Sequence, residues 1–152
     1  GLDMSPDLVS GLHTKNAVGF AERDETLVVA VDSLVFVTVH ILPLQIVHGI
    51  NDHAERFDQF ARYLCSKGYL VVAHDQMGHG KTASLGGTTG YFDGGWDAAV
   101  EDICHLIHRI RGIYPELPYI LLGQSMGSFL VRTILCKYPD IGISGAATRS
   151  GR

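Results

Sequence analysis

Apolar runs alternate with amphipathic stretches along most of the chain, and this alternation predicts strands and helices in turn. Uninterrupted apolar runs, typical of strands that a parallel sheet buries on both faces, occupy residues 44–47, 69–75, 118–123 and 143–147. Apolar residues recur at helical spacing within 52–68, 96–115 and 125–139. The strand–helix order therefore predicts an α/β fold, with a mostly parallel sheet and helices on both of its faces.

The first 43 residues depart from this alternation. No period is visible in 1–23, which predicts a loop or arm, whereas 26–39 is rich in β-branched residues and predicts strands. Polar residues and a proline interrupt the apolar stretch at 27–50, so it predicts strands rather than a membrane-spanning helix. We expect a divergent N-terminal segment over 1–43 and one domain over 44–152, without a second domain.

Composition and charge narrow the class of protein. The chain has 152 residues, of which 46% are hydrophobic and 18% are charged, and this excludes a disordered protein. Its 12 Lys and Arg against 16 Asp and Glu give a net charge of −4, which argues against nucleic acid as a partner. The three cysteines are odd in number and widely spaced, so they predict neither a disulfide framework nor a metal site. They favour a reducing, cytoplasmic compartment.

The strongest chemical signal is Gly123-Gln124-Ser125-Met126-Gly127, a G-x-S-x-G motif between a predicted strand and a predicted helix. A sharp strand-to-helix turn exposes a serine hydroxyl above the sheet edge, and small residues two positions before and after it prevent collisions. The helix that follows directs free N–H groups towards developing negative charge. The motif predicts that Ser125 is a nucleophile on an elbow formed by Gly123, Gln124 and Gly127.

A second signal is the loop HGINDH at 48–53, between a predicted strand and a predicted helix. Acyl transfer on such an elbow needs two N–H donors for the oxyanion, one after the nucleophile and one from the loop after an earlier strand. We assign these roles to Met126 and Ile50, with Gly49 allowing the backbone to approach closely. His48 and His53 are predicted to shape the loop by hydrogen bonds rather than to transfer protons or bind a metal.

Other histidines have simpler interpretations. In HDQMGHGKT, at 74–82, the glycines predict a tight turn in which Asp75 bonds the loop's own N–H groups. The spacing there does not match a phosphate-binding P-loop. His105 and His108 lie in a predicted helix without further metal ligands nearby in sequence, so we expect them to be surface or core residues.

Four motifs together resemble those of the α/β-hydrolases, and they occur in the order and spacing of that superfamily: HGINDH, HDQMGHGKT, GYFDGGWDAAVEDI and LPYILLGQSMGS. The segment 44–147 is most similar to the group of serine aminopeptidase-like proteins, monoacylglycerol lipases and lysophospholipases. This resemblance implies a carboxylic ester hydrolase without a cofactor, acting on a small-molecule ester or lipid, and it leaves open a membrane surface as a partner. It implies Ser125 as the nucleophile and Ile50 and Met126 as the oxyanion donors. Gln124 stands where many members of the group have His.

The rest of a catalytic triad is not found among these residues. In this fold the chain order is nucleophile, acid, then His. All eight histidines precede Ser125, and the only carboxylate after it is Asp140. We therefore interpret 44–152 as the N-terminal half of an α/β-hydrolase domain, truncated after the nucleophile helix and the following strand.

Three hypotheses follow from this interpretation. The chain is a piece of a serine hydrolase, or a catalytically inactive binding module of the same fold, or an active enzyme whose base is a His such as His48 or His79. The acyl chain, the alcohol, the choice between ester and amide, and the oligomeric state are left open.

Overall fold

The computed structural model describes residues 18–20, 26–29, 42–85, 90 and 94–150. Its strands are, in chain order, β1 (Val18–Phe20), β2 (Thr26–Val29), β3 (Leu42–Val47), β4 (Tyr69–His74), β5 (Ile120–Gln124) and β6 (Gly145–Arg149). Its α-helices are α1 (Asp58–Ser66), α2 (Gly95–Ile113) and α3 (Met126–Lys137). Two short 3₁₀ helices, Ala54–Phe57 and Gly80–Leu85, follow β3 and β4.

The strands form one sheet in the order β1-β2-β4-β3-β5-β6. β4, β3, β5 and β6 pair in parallel, whereas β1 and β2 add an antiparallel pair at the β4 side. The prediction of a mostly parallel sheet is therefore confirmed. The order also brings the C-terminal ends of β3 and β5 together, and the HGINDH loop and the G-x-S-x-G turn begin at these ends.

Apolar side chains cover both faces of this sheet, as the long apolar runs predict. Along β4, Leu70 and Val72 pack in the cluster that contains the buried faces of α2 and α3. Val71 and Ala73, which point the other way, pack in a second cluster with α1. This alternation follows from the period of two in a strand, and it confirms the prediction of helices on both faces.

Several boundaries differ from the sequence-based expectation: β3 begins two residues earlier than predicted, β5 begins two residues later, and the predicted helix 52–68 is a 3₁₀ turn followed by α1. Within the predicted arm 1–23, residues Val18–Phe20 form strand β1. Three residues are too few to show a hydrophobic period, and the strand exists because it pairs with β2. The last strand starts at Gly145, two residues later than predicted. Gly145 pairs with Ile120, the first residue of β5, so β6 begins where its partner strand begins. Ahead of it, the Arg111 guanidinium donates to the carbonyl oxygens of Ile141 and Gly142, at 3.3 and 2.5 Å. The remainder of the predicted strand region 26–39 lies outside the described residues. No helix within the described ranges is long and apolar enough to cross a membrane.

Candidate active site

Ser125 occupies a strained backbone conformation between β5 and α3. Its φ and ψ are 52° and −121°, and it is the only residue other than glycine with positive φ among the described residues. These angles belong to the first central position of a type II′ turn, which glycine normally fills. Holding a serine there costs about 1–3 kcal/mol, and such strain is typical of functional sites.

The two glycines of the motif allow the turn to close. A Cβ atom on Gly123 would lie 2.5 Å from the carbonyl oxygen of Gly127, and one on Gly127 would lie 2.9 Å from the carbonyl oxygen of His48. Both obstacles are backbone atoms, which cannot rotate away. The small residues at these positions are therefore a steric requirement of bringing α3 against the end of β3, as the motif predicts.

The loop after β3 lies directly against the serine. A Cβ atom on Gly49 would be 3.0 Å from the Cβ and 3.5 Å from the Oγ of Ser125, so only a glycine fits without displacing the serine. Ile50 follows in a turn in which the Asp52 N–H donates to the Gly49 carbonyl at 3.2 Å. Met126 is the first residue of α3, where the N–H has no acceptor within the helix. The fold thus brings the segments of both expected oxyanion donors to Ser125.

His48 is buried and uses both ring nitrogens within the scaffold. Its Nε2 accepts a 2.9 Å hydrogen bond from the backbone N–H of Gln76, so Nδ1 carries the proton, and Nδ1 donates to the Gly49 carbonyl at 2.8 Å. The Gln76 side-chain amide also donates to the His48 carbonyl at 2.7 Å. Burial lowers the pKa of His48. A neutral His48 with both nitrogens engaged holds the loop and is poorly placed to accept a proton from Ser125.

Carboxylates hold the rest of this loop. The Asp52 carboxylate accepts from the backbone N–H of His53 at 3.1 Å, and the buried Asp75 accepts from the backbone N–H of Ala54 at 2.7 Å. Asp75, which the sequence predicts to bond its own turn, thus accepts a bond from the loop after β3, and its carboxylate lies against Gly80, where a Cβ atom would collide with it. The His53 ring, predicted to shape the loop, is half-buried, and the loop contacts that involve His53 run through its backbone.

Ser128 and the end of β6 fix the elbow from the other side. The backbone N–H of Ser125 donates to the carbonyl of Arg149 at 2.7 Å. The buried Ser128 hydroxyl lies 2.8 Å from that same carbonyl oxygen and 3.0 Å from the carbonyl oxygen of Gly123. Sequence patterns gave no sign of these contacts, because they join residues that come together only in the folded sheet.

Of the other described histidines, His79 is buried with its ring 5.5 Å from the ring of His48, and His105 and His108 are exposed on α2. Asp140 is exposed after α3. Within the part of the chain that the structure describes, the Ser125 hydroxyl donates to no histidine, and no group of side chains could hold a metal ion. His13 and His40 lie outside the described residues. Among the described residues, the geometry therefore places Ser125 beside the loop after β3 and the first turn of α3.

The family model for "Serine aminopeptidase, S33" matches residues 43–150. The chain belongs to this family. It is 35% identical over 80 residues to the monoglyceride lipase of Rattus norvegicus, covering 53% of the chain and 25% of that protein. It is 33% identical over 96 residues to the monoglyceride lipase homolog of monkeypox virus, covering 63% of the chain and 33% of that protein. The chain therefore spans a third or less of the length of these relatives.

Solved structures agree on the fold. A thermostable carboxyl esterase from Bacillus coagulans, in complex with glycerol, matches with a TM-score of 0.70 and 28% identity, covering 89% of the chain and 42% of the esterase. A soluble variant of the monoglyceride lipase from Saccharomyces cerevisiae matches with a TM-score of 0.70 at 18% identity, covering 91% of the chain and 46% of that chain. The fold is the N-terminal part of an α/β-hydrolase, which confirms the resemblance drawn from the four motifs.

Proposed function

We propose that the protein is a serine hydrolase that cleaves carboxylic esters of the acylglycerol or lysophospholipid type through an acyl-enzyme on Ser125. The observation that carries the proposal is the strained backbone of Ser125, whose φ is 52°. Gly49 packs directly against the Ser125 side chain in this conformation. Strain of this kind presents a hydroxyl outside the sheet edge and next to free N–H groups. The relatives named as monoglyceride lipases and the neighbour named as a carboxyl esterase support an ester as the substrate.

In this mechanism the Ser125 hydroxyl attacks the ester carbonyl carbon while its proton passes to a general base. The resulting oxyanion receives hydrogen bonds from the N–H groups of Ile50 and Met126. Collapse of the tetrahedral intermediate expels the alcohol, which takes up the proton, and leaves the acyl group on Ser125. Water, activated by the same base, then releases the carboxylic acid and restores the serine.

The general base of this mechanism is not identified among the described residues: no histidine accepts from the Ser125 hydroxyl, and His79, the other candidate besides His48, is buried with its ring 5.5 Å from that of His48. His48 has both nitrogens engaged, and every other histidine also precedes Ser125 in the sequence. A serine without a base retains its ordinary, high pKa and reacts slowly. We propose that protein beyond these 152 residues supplies the base and its orienting acid. The alternative is a catalytically inactive fragment or binding module of the same fold, which the engagement of both His48 ring nitrogens within the scaffold would favour.

Chemical rescue separates these possibilities. The chain is treated with a fluorophosphonate probe, with and without added imidazole as a surrogate base, and the adduct is located by peptide mass spectrometry. We expect slow labelling of Ser125 that accelerates with imidazole and disappears in Ser125→Ala. Rapid labelling without imidazole would show that a histidine of this chain already acts as the base. A folded chain that forms no adduct at Ser125 under either condition would refute the nucleophile and favour the binding module.

A further inference from the structure

Two consecutive residues at the end of β4 hold the loop after β3 at both of its ends. At the start of the loop, the Gln76 backbone N–H donates to Nε2 of His48 at 2.9 Å, and the Gln76 side-chain amide donates to the His48 carbonyl at 2.7 Å. At its end, the Asp75 carboxylate accepts from the Ala54 N–H at 2.7 Å. The expected oxyanion donor, Ile50, lies between these two attachments.

Gln76 is itself held firmly in the turn that follows β4. It is 1% exposed, and its backbone carbonyl oxygen accepts from the backbone N–H of His79 at 2.9 Å. The Thr82 hydroxyl lies 2.6 Å from that same oxygen. Gln76 cannot shift without disrupting these bonds, so it provides a fixed point against which the loop after β3 is placed.

The bonds from Gln76 to His48 extend to the peptide that carries the Ile50 N–H. Because His48 Nε2 accepts from Gln76, the proton of the neutral ring is on Nδ1, and Nδ1 donates to the Gly49 carbonyl at 2.8 Å. The Gly49 carbonyl and the Ile50 N–H belong to one planar peptide unit, so fixing the first orients the second. The Gln76 side chain holds the preceding peptide by the His48 carbonyl. Both peptides that flank Gly49 are thus fixed, although glycine by itself permits many backbone conformations there.

The side-chain oxygen of Gln76 indicates that stability alone does not account for this residue. Within the described ranges, this Oε1 atom is buried and has no hydrogen-bond partner. A buried amide oxygen without a partner is unfavourable, and an apolar side chain of similar size would avoid this cost. The benefit of a glutamine at this position is therefore its N–H donor, which holds the His48 carbonyl.

We propose that Gln76 is a positioning residue, which acts through His48 to orient the Ile50 N–H beside Ser125. That this N–H receives the oxyanion rests on the proposed function. An oxyanion donor is effective only when it is oriented before the reaction, and removing one such donor slows acyl transfer about 10²–10³-fold. A donor that is present but poorly oriented should lose part of this effect.

Gln76→Met tests this role, because it keeps the size of the side chain and removes the amide donor. The chain is acylated with p-nitrophenyl butyrate at a fixed imidazole concentration, and the initial rate is measured over a range of ester concentrations. We expect the maximum rate to fall roughly tenfold, without a change in the ester concentration that gives half of it, because the oxyanion forms only in the transition state. In NMR spectra, the backbone amide resonances of Gly49 and Ile50 should shift. Gln76→Asn, whose amide is one methylene shorter, is a second variant and should act in the same way.

The matched control is Gln45→Met, because Gln45 is another fully buried glutamine and lies within β3. Its side-chain oxygen accepts from the Tyr119 hydroxyl at 2.7 Å, so the substitution leaves that buried hydroxyl without this acceptor. We expect Gln45→Met to lower the melting temperature at least as much as Gln76→Met does. The maximum rate of acylation and the resonances of the loop should nevertheless stay unchanged in Gln45→Met.

Unchanged Gly49 and Ile50 resonances in Gln76→Met, an unchanged maximum rate, or an equal loss of rate in Gln45→Met would overturn the proposal. The NMR measurement needs no reaction. A folded chain whose Ser125 is not acylated would therefore refute the proposed function, while the resonances alone would still decide whether Gln76 positions the loop.

Discussion

Replacing Gly127 by alanine tests whether the close approach of α3 to β3 builds the elbow. The new Cβ atom would lie 2.7 Å from the carbonyl carbon and still closer to the carbonyl oxygen of Val47, and 2.9 Å from the carbonyl oxygen of His48. Non-bonded heavy atoms of other residues essentially never approach a Cβ within 3.0 Å, and these are backbone atoms at the end of β3. The first turn of α3 must therefore move, and Ser125 must move with it.

Two opposing effects determine how much Gly127→Ala changes the free energy of unfolding. Alanine is a better helix former than glycine by about 1 kcal/mol, which favours the variant. Forcing a methyl group into close-packed backbone costs about 1–3 kcal/mol or more, and here the upper end applies because no side chain can rotate aside. We expect a net loss of about 2 kcal/mol in the free energy of unfolding, together with slower fluorophosphonate labelling of Ser125 in the presence of imidazole.

Gly112→Ala is the matched control, because Gly112 lies in α2 with no atom within 4 Å of the position of its Cβ. At Gly112 only the higher helix propensity of alanine acts, so we expect the free energy of unfolding to rise by up to about 1 kcal/mol. The two variants should then differ by about 3 kcal/mol, or roughly 6–12 °C in melting temperature for a chain of this size. Thermal and denaturant unfolding would measure both. A Gly127→Ala protein as stable as Gly112→Ala would refute the packing account.

Three further substitutions test other contacts of the site. Ser125→Gly should be about 1 kcal/mol more stable than Ser125→Ala in denaturant unfolding, because glycine relieves the positive φ; equal stability would argue against strain. Burial lowers the pKa of His48 below 6.5, so the unfolded chain binds the proton first as the pH falls. Stability should therefore drop below pH 6.5, by at most about 1.4 kcal/mol per pH unit, until the lowered pKa is reached. His48→Gln should flatten this dependence and the exposed His105→Gln should not; identical pH profiles would contradict the buried neutral His48. Ser128→Ala should lose about 1 kcal/mol in the free energy of unfolding, since it removes the hydroxyl that faces the Gly123 and Arg149 carbonyls while the Arg149 carbonyl keeps the Ser125 N–H. Unchanged unfolding would show that Ser128 does not hold the elbow.

The sequence predicted the central strands and the serine turn because both depend on residues that are close together in the sequence. Strands buried on both faces are mostly apolar, as 69–73 and 118–123 are. A serine turn that closes against a neighbouring strand needs glycines at 123 and 127, and the structure shows the backbone atoms that require them. The elbow could therefore be located from the sequence alone, together with the loop that faces it.

Contacts between distant residues could not be predicted in this way. The bonds from Gln76 to His48 join residues 28 apart, and the contact of Ser128 with Arg149 joins residues 21 apart. Their side chains carry no periodic signal, since each position is defined by another element of the sheet. The late start of β6 has the same origin, because its first residue pairs with Ile120, the first residue of β5.

The central claim is that Ser125 carries the acyl group of an ester. The most direct measurement is to incubate the chain with p-nitrophenyl butyrate and imidazole, quench it in acid, and identify acylated peptides by mass spectrometry. We predict a butyryl group on the peptide that contains Ser125, in an amount that rises with imidazole and is lost in Ser125→Ala. Acylation of equal yield in Ser125→Ala, or a folded chain with no acylated Ser125, would contradict the claim.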